Sequence, residues 1–185
     1  MHKPVLLKEV IEIFNPQPGQ VFIDATVGEG GHAREILKKI SPEGILMGLD
    51  WDSEVLSRLK SELISKDSRV ILLNVNYTAL GELAEKHNLG QADGILFDLG
   101  FGTHTLQDSG RGFSFQKEEP LDMRYNPSAT SITAAGVLNK YSQQDLEKIF
   151  KEYGEERFSR RIAKGVIAAR TKNKIKTTSQ LVQII

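Results

Sequence analysis

Four short apolar runs, separated by stretches with helical spacing, fill most of the first hundred residues, and this alternation restricts the fold more than any other feature. VFIDATV (Val21 to Val27), GILMGLD (Gly44 to Asp50), VILLNVNY (Val70 to Tyr77) and ADGILFDLG (Ala92 to Gly100) read as buried strands. GHAREILKKI, SEVLSRLKSELI and TALGELAEKH read as the helices between them. A further helix precedes them, PVLLKEVIEIF, with apolar Val5, Leu6, Val10, Ile13 and Phe14, and NPQPG ends it. Strands joined by helical crossovers make a mainly parallel sheet with helices on both faces, the doubly wound α/β class. Residues 1–102 are therefore expected to form a core with an incomplete sheet.

From Thr103 the pattern changes, and no continuous buried strand follows. Residues 103–129 are rich in glycine and polar side chains and contain Pro120 and Pro127, so a long loop is expected. Helices follow at SITAAGVLNK, at SQQDLEKIFKEYG, with Ser142 and Asp145 as a capping-box pair and Gly154 as terminator, and at EERFSRRIAKGVIAAR. TTSQLVQII begins another, capped by Thr177 or Thr178. Residues 103–185 thus read as a loop plus a helical domain. The apolar end, with no partner, looks unfinished.

Composition narrows the chemistry. There is no cysteine, which removes disulfides and thiolate metal sites and fits a reducing cytoplasm, and four scattered histidines do not suggest a zinc site, so no metal is expected. Glu9 and Glu12 interrupt the first apolar pattern, which argues against a signal peptide, and no run approaches the about 20 apolar residues of a membrane span. The protein is expected to be soluble. Net charge is zero but unevenly placed: all 24 acids lie at or before Glu156, and the last 29 residues carry eight bases and no acid. Those bases are Arg157, Arg160, Arg161, Lys164, Arg170, Lys172, Lys174 and Lys176. Such asymmetry suggests a polyanion partner, the alternative being a solvated face that pairs with the acidic body.

Between the first strand and its helix lies DATVGEGGH, Asp24 to His32. Gly28, Gly30 and Gly31 permit a sharp turn and close approach of a ligand at the carboxyl edge of the sheet. The G-x-G-G spacing lacks the third glycine of a dinucleotide fingerprint, which weakens a nicotinamide-dependent oxidoreductase reading. Asp24 just before the loop disfavours a pyrophosphate and suits a zwitterion with an ammonium group. S-adenosylmethionine has an ammonium and a sulfonium and no phosphate. Asp50 ends the second strand, where an acid can accept hydrogen bonds from ribose hydroxyls; for it and Asp52 the alternative is helix capping. His32 falls in the first helical turn, where a backbone-bonded or solvated histidine competes with a ligand contact. Asp98 ends the fourth strand, expected beside the first, so Asp24, Asp50 and Asp98 should converge on one cleft.

These residues resemble the bacterial ribosomal RNA small-subunit methyltransferase H family, also called MraW. The matches run in order through HKPVLLKE (His2 to Glu9), DATVGEGGH, GLDWD, GILFDLG, RGFSF (Arg111 to Phe115), PLDMR (Pro120 to Arg124), YGEER (Tyr153 to Arg157), RRIA and the late TT. The resemblance implies a Rossmann-like S-adenosylmethionine-dependent methyltransferase with an inserted helical domain that recognises the substrate. It implies N4-methylation of a cytidine in small-subunit (16S) ribosomal RNA. Cofactor contacts carried over by position fall on Gly30, Gly31, His32, Asp50, Tyr77 in place of the usual phenylalanine, and Asp98. The family's DLG-x-SS-x-QL reads DLGFGTHTL here, so Gly102 and Thr103 replace the serines and Thr105 the contacting glutamine. Family members also continue past the helical part with further strands, so the resemblance implies that this chain, with its four strands, is either a fragment or has its remainder supplied by another chain.

For catalysis, Asp98 with the backbone near Leu99 and Gly100 is expected to accept the hydrogens of the attacking amine, and His104 is a candidate acid/base whose alternative is a solvated loop histidine. Gly28 and Asp24 are added to the cofactor set on the loop reading. RNA contacts are expected at Arg111, Arg157, Arg160, Arg161, Lys164, Arg170, Lys172 and Lys174. The competing readings are a packed RGFSF segment, with Phe113 and Phe115 as core and Arg111 in a salt bridge, and an intrahelical Glu156–Arg160 pair. Partners are ribosomal RNA or the small ribosomal subunit in the cytoplasm, with no membrane and no metal and a homodimer left open. The rival function is a truncated or degenerate methyltransferase-like domain that binds RNA or a protein without catalysis.

Overall fold

The computed structural model describes residues 4–63 and 69–185; His2 and Lys3 of the HKPVLLKE match and Ile64 of the third expected helix lie outside them. The chain divides into two compact units between Gly102 and Thr103.

In the first unit, β1 (Val21–Asp24), β2 (Ile45–Asp50), β3 (Val70–Asn74) and β4 (Gly94–Leu96) form one sheet of order β3-β2-β1-β4 with every pairing parallel. The doubly wound expectation holds, and β1 lies between β2 and β4 as anticipated. Alternation along the strands divides two apolar layers. Phe22, Leu46, Val70 and Leu72 face α2 (Gly31–Ile40) and α3 (Ser53–Leu63), meeting Ala33, Ile36, Ile40, Leu56, Leu59 and Leu63. Ile23, Met47 and Leu49 face the opposite layer, where Leu80 and Leu83 of α4 (Leu80–Lys86) join Leu89. Full burial of each large aliphatic side chain contributes about 1.5–3 kcal/mol. α1 (Leu7–Phe14) buries none of its residues fully; it packs Ile11 and Phe14 onto the first layer, with the Phe14 and Phe22 rings 5.3 Å apart.

The strands are shorter than the apolar runs, because their ends exchange sheet bonds for other partners. After Asp24 the chain leaves β1, while Ala25 N–H still bonds the Leu96 carbonyl (2.9 Å) and Val27 N–H the Leu49 carbonyl (2.8 Å). Asp98 N–H donates to Thr26 Oγ1 (2.7 Å). Past β3, Asn76 Oδ1 accepts from Thr78 N–H (2.9 Å), and Tyr77–Ala79 form a 3₁₀ turn leading into α4.

The second unit contains α5 (Thr103–Gln107), α6 (Ala134–Lys140), α7 (Gln143–Lys148), a π-turn at Ile149–Tyr153, α8 (Ser159–Arg170) and α9 (Thr178–Val182). Its core joins Leu121, Leu138, Leu146, Ile162, Ala163, Val166 and Ile175. Both capping signals are realised: Ser142 with Asp145, and Thr177 with Gln180. The long segment expected as loop differs in two respects. It begins with α5, a helix too short to leave a periodic signal, and its remainder is tied down by side chains. Arg111 Nη1 donates to the carbonyls of Arg124 (2.9 Å) and Tyr125 (2.8 Å), and Arg124 Nε donates to Asp122 Oδ1 (2.7 Å). The Arg124 guanidinium holds the Asp122 carboxyl below the usual range. Of the two phenylalanines expected as core, Phe113 packs on Tyr125 with ring centroids 5.4 Å apart, whereas Phe115 is exposed.

Candidate functional site

The turn from β1 into α2 is built on left-handed glycines. Gly28 has φ 50° and Gly30 φ 77°, conformations that strain a side chain, and a Cβ on Gly30 would come within 2.5 Å of the Leu59 side chain. Gly30 N–H closes the turn on the Val27 carbonyl (2.8 Å). At Gly28 the corresponding space is open, with only the Thr26 carbonyl oxygen 3.8 Å away, so a ligand has room against the main chain.

Asp50 holds this turn from the neighbouring strand. Its Oδ2 accepts from Gly28 N–H and its Oδ1 from Asp52 N–H, both at 2.8 Å, and the Trp51 amide adds a third backbone bond, which fixes the carboxylate. Burial raises its carboxyl above the usual range, opposed by the backbone bonds from Asp52, Gly28 and Trp51. Asp52 is buried and its Oδ1 accepts from Glu54 N–H (3.0 Å), so the capping alternative describes Asp52.

Asp24 and Asp98 are placed differently. Asp24 is 1% exposed and accepts from Thr26 N–H (3.1 Å), so it supports the loop from beneath it. Its carboxyl is pushed up to about 7, mainly by burial, with the Asp50 and Asp98 carboxylates adding to the rise. Asp98 is about half exposed, and its Oδ2 lies 3.9 Å from His32 Nδ1. His32 Nε2–H donates to the Val5 carbonyl (2.8 Å) from a buried ring, which is the backbone-bonded reading of this histidine. Gly31 backs onto Pro4, whose Cγ would lie 2.8 Å from a Cβ there. The half-exposed Tyr77 ring stands edge-to-face with Phe97, centroids 5.7 Å apart, giving the unit an exposed aromatic pair.

Other sequence candidates belong to the second unit. His104 and Thr105 belong to the second unit, on α5, and both are buried; His104 Nδ1 is 3.5 Å from Asp108 Oδ2. The solvated loop histidine is therefore corrected: the segment forms a helix and turns His104 inward. Arg111 donates to backbone carbonyls, and Arg170 Nη1 donates to the carbonyls of Leu138 (2.8 Å) and Tyr141 (2.6 Å). Arg157, Arg160, Arg161, Lys164, Lys172 and Lys174 are exposed. Among the described residues, no group of three or more histidines and acids is placed to hold a metal ion, and no helix is long and apolar enough to cross a membrane. Thr26, Phe97 and Val5 were missed from sequence; only Phe97, adjoining the acid that ends its strand, carried a usable signal.

A parallel sheet of order β3-β2-β1-β4, with a glycine turn after β1 and an acid closing β2, defines a Rossmann-like domain of the methyltransferase type. The chain belongs to the MraW methylase family, whose profile matches residues 1–185. It is 44% identical over 186 residues to the ribosomal RNA small subunit methyltransferase H of Dictyoglomus thermophilum, covering all of this chain and 62% of that protein. It is 45% identical over 184 residues to the protein of the same name from Syntrophotalea carbinolica, covering all of this chain and 58% of that one. The chain thus spans about three-fifths of the length of these relatives. Among solved structures, a putative rRNA-methylase from Clostridium thermocellum is 20% identical with a TM-score of 0.46, over 57% of this chain and 58% of that one.

Proposed function

We propose that the first unit binds S-adenosylmethionine and the second recognises small-subunit ribosomal RNA, as parts of an enzyme that methylates the exocyclic N4 of a cytidine in the cytoplasm. The observation that carries the reading is the Asp50 carboxylate locked onto the amide of Gly28, beside an open left-handed turn. Family membership and the names of the relatives support the reaction class and the RNA.

The residues fit such a cofactor. The loop has room for it at Gly28, the acids suit a cation and repel a phosphate, and Tyr77 offers an exposed aromatic face for a purine. When bound, the cofactor would supply an electrophilic methyl carbon on sulfur. Asp50, with its plane fixed by backbone amides, would accept from the ribose hydroxyls. Asp98 is held at its backbone by Thr26 and faces His32, so its exposed oxygen would accept a hydrogen of the incoming amine and keep the lone pair directed. Aligning the nucleophile and excluding water supply most of what an in-line displacement needs.

The test is incubation of the chain with isotopically labelled S-adenosylmethionine and small-subunit RNA, followed by nucleoside analysis. Labelled N4-methylcytidine is expected, and label confined to another nucleoside would overturn the assignment. A second reading, a binding domain without catalysis, is favoured by the burial of Thr105, which stands where the family has a cofactor-contacting glutamine. It predicts cofactor or RNA binding with no labelled nucleoside.

A further inference from the structure

Arg157, Arg160, Arg161 and Lys164 project from the start of α8 and its approach, and all four are exposed. Among the described residues none of them takes part in an ion pair. A partner was within the sequence's reach, since Glu156 lies four positions before Arg160. Its Oε1 instead accepts from Phe158 N–H (2.6 Å), so the intrahelical pair does not form. The four bases also do little for the helix, because cations at a helix N-terminal end are opposed by its dipole.

The arginines do have a partner of another kind. Arg157 Cζ lies 4.6 Å and Arg161 Cζ 5.0 Å from the centroid of the Phe158 ring, which is itself 44% exposed. A half-exposed phenylalanine adds little to a core. One that carries two guanidiniums restricts the rotamers of two long side chains before any ligand arrives, which lowers the entropy lost on binding. Two like charges gathered on one ring are complementary to an anion. The planar fork of each guanidinium matches phosphodiester oxygens, and its flat face also accepts an unstacked base. RNA presents both features; an acidic peptide presents only the charge.

We infer that Phe158 is a positioning residue, whose ring holds Arg157 and Arg161 as a preformed pair that grips a backbone phosphate of RNA, with Arg160 and Lys164 extending the cationic surface along α8. This rests on the RNA reading above and adds to it a defined element with a defined geometry.

The experiment is fluorescence anisotropy of the full chain with a short labelled single-stranded RNA of mixed sequence, titrated across salt concentrations. Replacing both arginines (Arg157→Gln with Arg161→Gln) should weaken binding about ten-fold and lower the slope of log affinity against log salt by roughly 0.7 for each phosphate no longer gripped. Phe158→Leu keeps every charge and should weaken binding about three- to five-fold, while Phe158→Tyr, which retains the ring, should bind as the unaltered chain does. Lys39→Gln, on the exposed end of α2, controls for loss of one charge from each of the single variants Arg157→Gln and Arg161→Gln. Wild-type affinity in Phe158→Leu overturns the positioning role. Single arginine variants indistinguishable from Lys39→Gln overturn the site and leave the RNA reading standing. Absence of any salt-dependent RNA binding by the unaltered chain overturns both.

Discussion

The two units handle charge in opposite ways. In the first, acids are drawn into the structure: Asp50 is fixed by backbone amides, Asp24 is covered, and Asp98 is held through Thr26. In the second, a row of bases is left outside it: four cations on α8 and its approach lack ion-pair partners among the described residues, and two of them rest on one aromatic ring. A small ligand with few contacts needs each contact placed in advance, so its site is held by the backbone. A polyanion makes many similar contacts, and an exposed row of side chains suffices for most of them.

The comparison can be broken first at its foundations. Leu46→Ala in the sheet core and Leu146→Ala in the helical core should each cost about 2–5 kcal/mol of stability, measured by denaturant unfolding. Loss of S-adenosylmethionine binding is expected with Leu46→Ala and retention with Leu146→Ala; joint loss would mean that the units do not carry separate sites.

Asp24 supplies a pH test of the buried acids. Its folded carboxyl titrates near 7, against an ordinary carboxyl value of 3.8. The folded form therefore binds the proton more tightly than the unfolded chain does. Stability should fall as pH rises between those two values, by up to roughly 1.4 kcal/mol per pH unit from this group, and level off above them. Asp24→Asn keeps an acceptor for Thr26 N–H and removes the titration. Its unfolding free energy should match the unaltered chain near pH 4 and exceed it at pH 8; a variant less stable at pH 8 would show that ionised Asp24 is favourable where it sits.

Salt separates the two sites further. RNA affinity should fall steeply between low and moderate ionic strength, whereas S-adenosylmethionine affinity should change by less than about three-fold over the same range, its partners being short-range and partly buried. The smallest expected effect is local. Ser142→Ala removes half of a capping box at α7 and should cost about 1 kcal/mol in the second unit alone.

The sheet was legible in the sequence because short apolar runs and helical crossovers admit few topologies, and the placing of β4 beside β1 followed from them. Strand ends were less legible, since at Val27, Thr26 and Tyr77 side chains and turns replace ladder bonds. The acids were located from strand ends, but their depth was not. Asp24 is covered and accepts from Thr26 N–H, a depth that its place at a strand end does not reveal. His104 was misplaced for a related reason: a five-residue helix has too little periodicity to be seen. The RGFSF and PLDMR segments carry no pattern that reveals the bonds they make to carbonyls and acids within their own loop.

The most direct measurement is titration calorimetry of the chain with S-adenosylmethionine, alongside Asp50→Ala. Saturable binding at one site is predicted for the unaltered chain, with affinity reduced on the order of a hundred-fold in Asp50→Ala, the change expected if this carboxylate both holds the loop and bonds the ribose as proposed. Equal affinity in the two proteins, or no binding heat in the unaltered chain at any ligand concentration tested, would contradict the assignment of this cleft.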